Sequence, residues 1–486
     1  LARLGPGFVN TPRTTPVKLA SAERKGTFAE IYKGFAKAPG SAQASRCAGC
    51  GVPFCQSACP LENDIPGWLS LASEGRYEEA WRLSASTSTL PEICGRICPQ
   101  DRLCEGACVL EQSGWEGVTI GSVEKWLGDM AFENGWVDPI RPEVELGRSV
   151  GIIGAGPAGL AAADRLRSLG YAVTVYDRHD RPGGLLVYGI PGFKLEKHVV
   201  ERRTRRLAEG GVDFVLNFDV GVDATLEDLR ARHDAVLIAT GVYQARRLTA
   251  PGSGSRGVAA ALDYLITSNR LGFGETPEAF LSGQLDAKGK RVVVIGGGDT
   301  AMDCVRTAVR QEAASVTCLY RRDRANMPGS RREVENAEEE GVQFQWLSAP
   351  KAVLGDAETV TGVRVIRMQL GSADADGRRG VEEIAGAEFL AEADLVIEAL
   401  GFEPEDLPAL MRAPELEVRA TGTVKVKGRK SQATSLPGVF AAGDIVRGAS
   451  LVVWAVRDGQ DAAAEIHDWL QARVAAAPSH HLAGAA

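Results

Sequence analysis

Val150–Asp177 reads VGIIGAGPAGLAAADRLRSLGYAVTVYD, and it decides the fold. The apolar VGII is a short buried strand, followed by Gly154, Gly156 and Gly159 at G-x-G-x-x-G spacing. LAAADRLRSLG then predicts an amphipathic helix closing on Gly170, and AVTVYD a second strand ending on Asp177. Each glycine has a separate task. Gly154 permits a tight turn, Gly156 lets backbone approach a pyrophosphate, and Gly159 lets helix pack against strand. The helix N-terminus offers free N–H groups to phosphates. Asp177 is placed to accept hydrogen bonds from ribose hydroxyls. Strand, triplet, helix, strand and terminal acid in register predict a dinucleotide site.

A second copy begins at Arg291, RVVVIGGGDTAMDCVRTAV, with Gly296, Gly298 and Ala301 at G-x-G-x-x-A and Asp299 and Thr300 at the helix start. Its next strand, SVTCLYRR, ends in Arg321 and Arg322 where the first copy ends in an acid. A carboxylate there would repel a 2′-phosphate, whereas guanidinium groups bind phosphate bidentately. The second site is therefore expected to prefer NADP(H), with Arg331 and Arg332 close enough in sequence to assist. Surface ion pairing is the competing reading of these arginines. VLIATG ending at Gly241 is echoed by LVIEALG ending at Gly401, so the two copies are an internal repeat.

Eight of the ten cysteines lie upstream, at Cys47, Cys50, Cys55, Cys59, Cys94, Cys98, Cys104 and Cys108. Disulfides would need an oxidising compartment. Structural zinc favours paired C-x₂-C units, which these spacings suit poorly, though zinc stays open. Iron–sulfur cubes fit best, since short spacings supply three thiolates and a distant cysteine the fourth. Eight thiolates match two [4Fe–4S] clusters. The expected ligation is crossed, with Cys47, Cys50, Cys55 and Cys108 on one cluster and Cys59, Cys94, Cys98 and Cys104 on the other. Crossing would tie the region together through metal, so removing iron is expected to unfold it.

The whole chain has 486 residues, a formal net charge of −8 and no apolar run of membrane-spanning length. Acidity argues against nucleic-acid binding, and the first residues lack a signal-peptide core, so a cytoplasmic protein is expected. Elsewhere the patterns predict a helix near Thr27–Ala38 and two helices broken near Glu74–Gly75. They also predict a basic helix with a solvated face in KHVVERRTRRLAEGG, an antiparallel meander over Gln343–Asp394, and a strand in GTVKVKG. SLVVWAVRDGQDAAAEIHDWL reads as a helix, and the Ala-rich tail from Val474 as disordered.

The Gly154 triplet, Ala239-Thr240-Gly241 and Ala442-Gly443-Asp444 resemble the FAD stretches of the two-dinucleotide-domain flavoproteins. TLPEICGRICPQDRLCEGAC, YGIPGFKL and SLVVWAVRDGQDAA further resemble the small (beta) subunit family of bacterial NADPH-dependent glutamate synthase. The cysteine region is also similar to the N-terminal part of dihydropyrimidine dehydrogenase. A thioredoxin-reductase-like disulfide is poorly matched, because thirteen residues separate Cys304 and Cys318.

The resemblance implies an α/β chain of two Rossmann-like domains, the second inserted in the first, preceded by a helical [4Fe–4S] domain. The expected bounds are 1–145 for iron–sulfur, 146–285 with 403–486 for FAD, and 286–402 for NADPH. FAD would lie on Gly154, Gly156, Pro157, Ala158, Gly159, Asp177, Gly184, Leu185, Thr240, Gly241, Gly443 and Asp444. NADPH would lie on Gly296, Gly298, Asp299, Thr300, Ala301, Arg321 and Arg322. No side chain is expected as acid or base, since the cofactors carry the hydride step. The implied partner is a large (alpha) subunit carrying FMN, which makes L-glutamate from glutamine and 2-oxoglutarate. A stand-alone NADPH:ferredoxin-type oxidoreductase and a zinc-binding assembly module are the rival readings.

Overall fold

A computed structural model describes residues 7–356, 359–373, 379–428 and 430–476. Its first part is helical. Asp64 caps the helix Ile65–Ser73 by accepting from Gly67 N, with Pro66 in the first turn. Gly75, at φ +81°, turns the chain into the helix Tyr77–Thr87, as the sequence predicts. Two further helices, Pro91–Ile97 and Ile120–Glu133, meet backbone to backbone. A Cβ on Gly95 would sit 2.6 Å from Lys125 N, so only glycine permits that approach. Trp68, Leu69, Val123 and Leu127 fill the core between these helices, alongside Cys108.

No helix forms over Thr27–Ala36. Residues 17–33 fold into a ribbon, with Leu19 N donating to Ile31 O and Lys33 N to Val17 O; the short helix Ser21–Lys25 connects its two arms and the helix Lys37–Ala44 follows. Ile31 is buried, and its N–H bonds Phe193 O, so long-range partners replace helical ones.

Strands β1 to β4 are Ser149–Ile153, Ala172–Asp177, Val212–Leu216 and Ala235–Ile238. The next two are β5, Gln244–Ala245, and β6, Val258–Ala260. Then come β7, Arg291–Ile295, β8, Ser315–Tyr320, and β9, Gln343–Trp346. The long strands β10 to β12 are Ser348–Gly355, Val360–Ala373 and Arg379–Glu392. The last three are β13, Leu395–Glu398, β14, Phe402–Glu403, and β15, Val439–Ala441.

Two parallel five-stranded sheets result, ordered β15-β4-β1-β2-β3 and β6-β13-β7-β8-β9. In both, the glycine-loop strand lies where the strand order reverses, the position at which open α/β sheets bind ligands. The chain leaves the first sheet and returns to it through the antiparallel ribbon β5–β14.

Several expectations are corrected. β6 pairs with β13, and the helix Ala261–Gly272 packs Tyr264 and Leu265 into the second core, so the second unit begins well before residue 286. β9 pairs parallel with β8 and extends the second sheet; only β10–β12 form the antiparallel meander. GTVKVKG makes an isolated bridge, Val418 to Val424, rather than a strand. The basic helix, Lys197–Glu209, faces protein: Arg203 pairs with buried Glu92, Arg202 with Asp129 and Arg206 with Asp164. The final helix runs Val452–Ala476, beyond the expected start of disorder at Val474; residues 477–486 lie outside the described residues.

Candidate functional site

The first glycine loop joins β1 to the helix Pro157–Ser168. Gly154 adopts φ +110°, and a Cβ there would meet Ala239 O at 2.4 Å. At Gly159 a Cβ would meet Gly154 O at 1.9 Å, so the helix rides directly on the loop. Gly156 has open space where a Cβ would go, leaving its backbone bare to the cleft. Gly184, at φ +53°, brings a second loop against it: a Cβ there would stand 2.8 Å from Gly156 Cα. Gly443 approaches Ala158 in the same way, at 2.9 Å.

Three polar groups converge here. Asp177 accepts from Ala155 N at 2.7 Å and His179 N at 2.8 Å, which fixes its carboxylate at the cleft wall. Thr240 Oγ1 is buried and has no hydrogen-bond partner among the described residues, an orphan donor lining the cleft. Asp444 accepts from Ser450 Oγ at 2.7 Å, and burial raises its pKa. Pro157, Ala158, Leu185 and Gly241 also line the cleft.

The second loop repeats the first. Gly296 adopts φ +146°, with a would-be Cβ 2.2 Å from Ala399 O, and Gly298 is open. Ala301 is buried in the helix Asp299–Arg310, and Asp299 accepts from Ser330 N at 2.9 Å. Thr300 lines the cleft beside it. Arg321 stands exposed just past β8 with no ion-pair partner among the described residues. Arg322 donates through Nε to Arg379 O at 3.1 Å. Both arginines line the cleft, whereas Arg331 and Arg332 do not. They face a separate cavity of about 510 Å³, where Arg332 donates to Arg96 O at 3.1 Å. The helix starting at Arg331 turns them away, so they assist nothing at Arg321.

Both loops open into one cleft of about 960 Å³. Ile97, Cys98 and Pro99 form part of its wall, so the helical region reaches the nucleotide units here. A small annex of about 80 Å³ lies past Asp177, lined by Arg178, His179 and Tyr243 among others, and Arg178 stacks 4.8 Å above the Tyr243 ring. Motif reading missed these three, together with Lys194 and Asp303 in the main cleft. None has a spacing signature; they are brought in by chain crossing.

None of the eight N-terminal cysteines forms a disulfide among the described residues. Cys47, Cys50, Cys55 and Cys108 line one small apolar cavity of about 20 Å³ with Phe54, Leu69 and Leu110. Cys94 and Cys98 lie within interaction distance of each other, and Cys59 and Cys104 lie within electrostatic reach of this pair. Burial pushes Cys55 up to about 12 and Cys59 to about 11. Such thiols ionise readily only against a metal, and an all-sulfur donor set in apolar surroundings suits iron–sulfur chemistry. A single zinc ion would draw its ligands to within ~2.3 Å of one point. Among the described residues no three of His, Cys, Asp and Glu are grouped to hold a metal ion. Glu124, also missed, is half-buried within electrostatic reach of Cys59, Cys98 and Cys104; desolvation raises its carboxyl to about 8.

Comparison with known proteins shows which families the two regions match. Residues 24–136 match the family described as dihydropyrimidine dehydrogenase domain II, 4Fe-4S cluster. Residues 148–459 match the pyridine nucleotide-disulphide oxidoreductases. The chain is 62% identical over 470 residues to the glutamate synthase [NADPH] small chain of Azospirillum brasilense, covering 97% of each. It is 48% identical to the protein of the same name from Escherichia coli K12, covering 96% of this chain and 98% of that one. Its fold is similar to that of Mycobacterium tuberculosis FprA in complex with NADPH, with a TM-score of 0.57 and 20% identity. That likeness covers 69% of this chain and 86% of FprA. With an iron–sulfur region joined to two nucleotide-binding sheets, and relatives matched end to end, the chain is an oxidoreductase and belongs to the glutamate synthase [NADPH] small chain family.

Proposed function

We propose that this chain is the electron-input subunit of a cytoplasmic glutamate synthase, taking electrons from NADPH and delivering them to a large subunit. That subunit would carry FMN and form L-glutamate from glutamine and 2-oxoglutarate. One observation carries the reading: a single cleft joins both glycine loops to Cys98. Nucleotide, flavin and cluster could then stand in sequence without a mobile carrier. The names of the 62% and 48% identical relatives support the large partner. Among the described residues no helix is long and apolar enough to cross a membrane.

The residues suit the cofactors. Gly154, Gly156 and Gly159 with the helix start at Pro157 would hold the FAD pyrophosphate, and Asp177 its ribose. Thr240 and Asp444 would supply hydrogen bonds along the flavin, filling the orphaned Thr240 hydroxyl. Gly296 to Ala301 would hold the NADPH pyrophosphate, with Arg321 and Arg322 on the 2′-phosphate. Cys47, Cys50, Cys55 and Cys108 would hold one [4Fe–4S] cluster, and Cys59, Cys94, Cys98 and Cys104 the other. When bound, the cofactors supply hydride transfer to flavin and one-electron transfer onward. The protein positions them and keeps water out. The domain limits we propose are 1–145, then 146–245 with 403–486, and 246–402, since β6 belongs to the second sheet.

The test is composition followed by reconstitution. Gently purified full chain should contain FAD and the iron and sulfide of two four-iron clusters, and should reduce a dye with NADPH. Mixed with the large chain, it should support glutamine-dependent glutamate formation. Zinc in place of iron, or no flavin, defeats the reading. Dye reduction without coupled glutamate formation would favour a stand-alone reductase.

A further inference from the structure

Lys194 belongs to the GIPGFKL stretch of the first nucleotide unit, and Asp303 to the helix that starts at the second glycine loop. Lys194 Nζ lies 2.8 Å from Asp303 Oδ1, with the side chains 11% and 8% exposed. The pair thus crosses from one nucleotide unit to the other, inside the cleft both units line. Asp303 Oδ1 has no hydrogen-bond partner among the described residues, so the ion contact is its compensation. Burial works against the Lys194 ammonium, but the charges of Asp303, Glu333 and Asp299 overcome it and keep it protonated.

As a fastening, such a pair is a poor choice. Desolvating two charges offsets much of their attraction, and well-packed apolar side chains would hold the units as firmly. The cleft is lined in part by apolar side chains, among them Leu185, Ile190, Leu451 and Val452. A charge kept there points to a use for the charge itself, because electrostatic effects are strongest where water is excluded. Hydride transfer supplies one. The nicotinamide C–H bond breaks, and its hydrogen and electron pair pass to the flavin ring. The nicotinamide is left with one positive charge and the ring with one negative charge.

We propose that Lys194, held across the cleft by Asp303, is a positioning residue for this transfer, stationing a fixed positive charge beside the flavin ring and raising its reduction potential. The proposal rests on reading the cleft as the FAD and NADPH site. It also gives Asp303 a definite sign: the carboxylate tempers the effect of the lysine.

The experiment measures the two-electron potential of flavin in the full chain, equilibrated with reference dyes, for wild type, Lys194→Met, Lys194→Arg and Asp303→Asn. Lys194→Met should lower the flavin reduction equilibrium about tenfold, a fall of about 30 mV for a two-electron couple. Lys194→Arg should keep the wild-type value. Asp303→Asn should raise it, since the lysine then acts uncompensated. A merely structural pair would leave the potentials unchanged or move both charge-removing variants the same way, and either result overturns the proposal. Should Lys194→Met lose its flavin, a raised potential in Asp303→Asn beside an unchanged one in Lys194→Arg still decides. Wild-type chain without flavin is a different outcome, which removes the reading of the cleft itself.

Discussion

At Gly156 and Gly159, neighbouring glycines of one motif face different constraints, and substitution should separate them. Gly159→Ala places a methyl 1.9 Å from Gly154 O, so helix and loop must part; overpacking of this kind costs ~1–3 kcal/mol. Gly156→Ala meets no protein atom, so its flavin-free chain should melt with flavin-free wild type while FAD is lost on dilution. Flavin retention and thermal denaturation of the two variants check this. At the second site, Arg321 has no ion-pair partner among the described residues, whereas Arg322 is already engaged with Arg379 O. Arg321→Ala should therefore raise the KM for NADPH about tenfold or more, the weight of a charged hydrogen bond, and leave that for NADH little changed. Equal effects on both nucleotides would remove the phosphate role. The glycine tasks were legible in sequence because each depends on a few neighbouring residues. Arg331 and Arg332 were misplaced because ten residues in sequence say nothing about which way a new helix turns them.

Among the elements, the basic helix Lys197–Glu209 shows most clearly what pattern alone conceals. Its arginines look like a solvated face, yet Arg203 meets buried Glu92 at 2.6 Å and Arg202 meets Asp129 at 2.5 Å. Charge and partner lie over seventy residues apart, so no local period announces the contact. The consequence is testable by pH. Burial would raise the Asp129 carboxyl, but Arg96, Lys125 and Arg202 outweigh it and hold it down at about 2. Its unfolded value is ~3.9, so this depressed group contributes stability that is present above pH ~4 and lost as pH falls to about 2. The contribution is about 2–3 kcal/mol. Asp129→Asn should thus lower the melting temperature at pH 7, and the gap from wild type should close near pH 2. A gap that persists at pH 2 would deny the ion pairs their role. The N-terminal ribbon was hidden for the same reason. Its Arg24 is buried and bonds Glu339, more than three hundred residues away. β6 was misassigned because three residues carry too little pattern to say which sheet takes them.

Over the whole molecule, both parallel sheets and their internal repeat were readable from strand, glycine loop and strand, and the cysteine region from its density alone. Their mutual placement was not. It depends on the β5–β14 crossing, the N-terminal ribbon and the contacts of Arg102 with Met327 O and Gly329 O, all of which join distant segments. That placement turns two nucleotide sites and a cysteine region into one cleft ending at Cys98, and the functional account depends on it. An anaerobic titration of the full chain with NADPH, followed in the visible spectrum, tests this most directly. The account predicts flavin bands that bleach at near-stoichiometric NADPH, with broad iron–sulfur absorbance declining alongside them. A spectrum without flavin bands, or flavin that NADPH leaves oxidised, would contradict it.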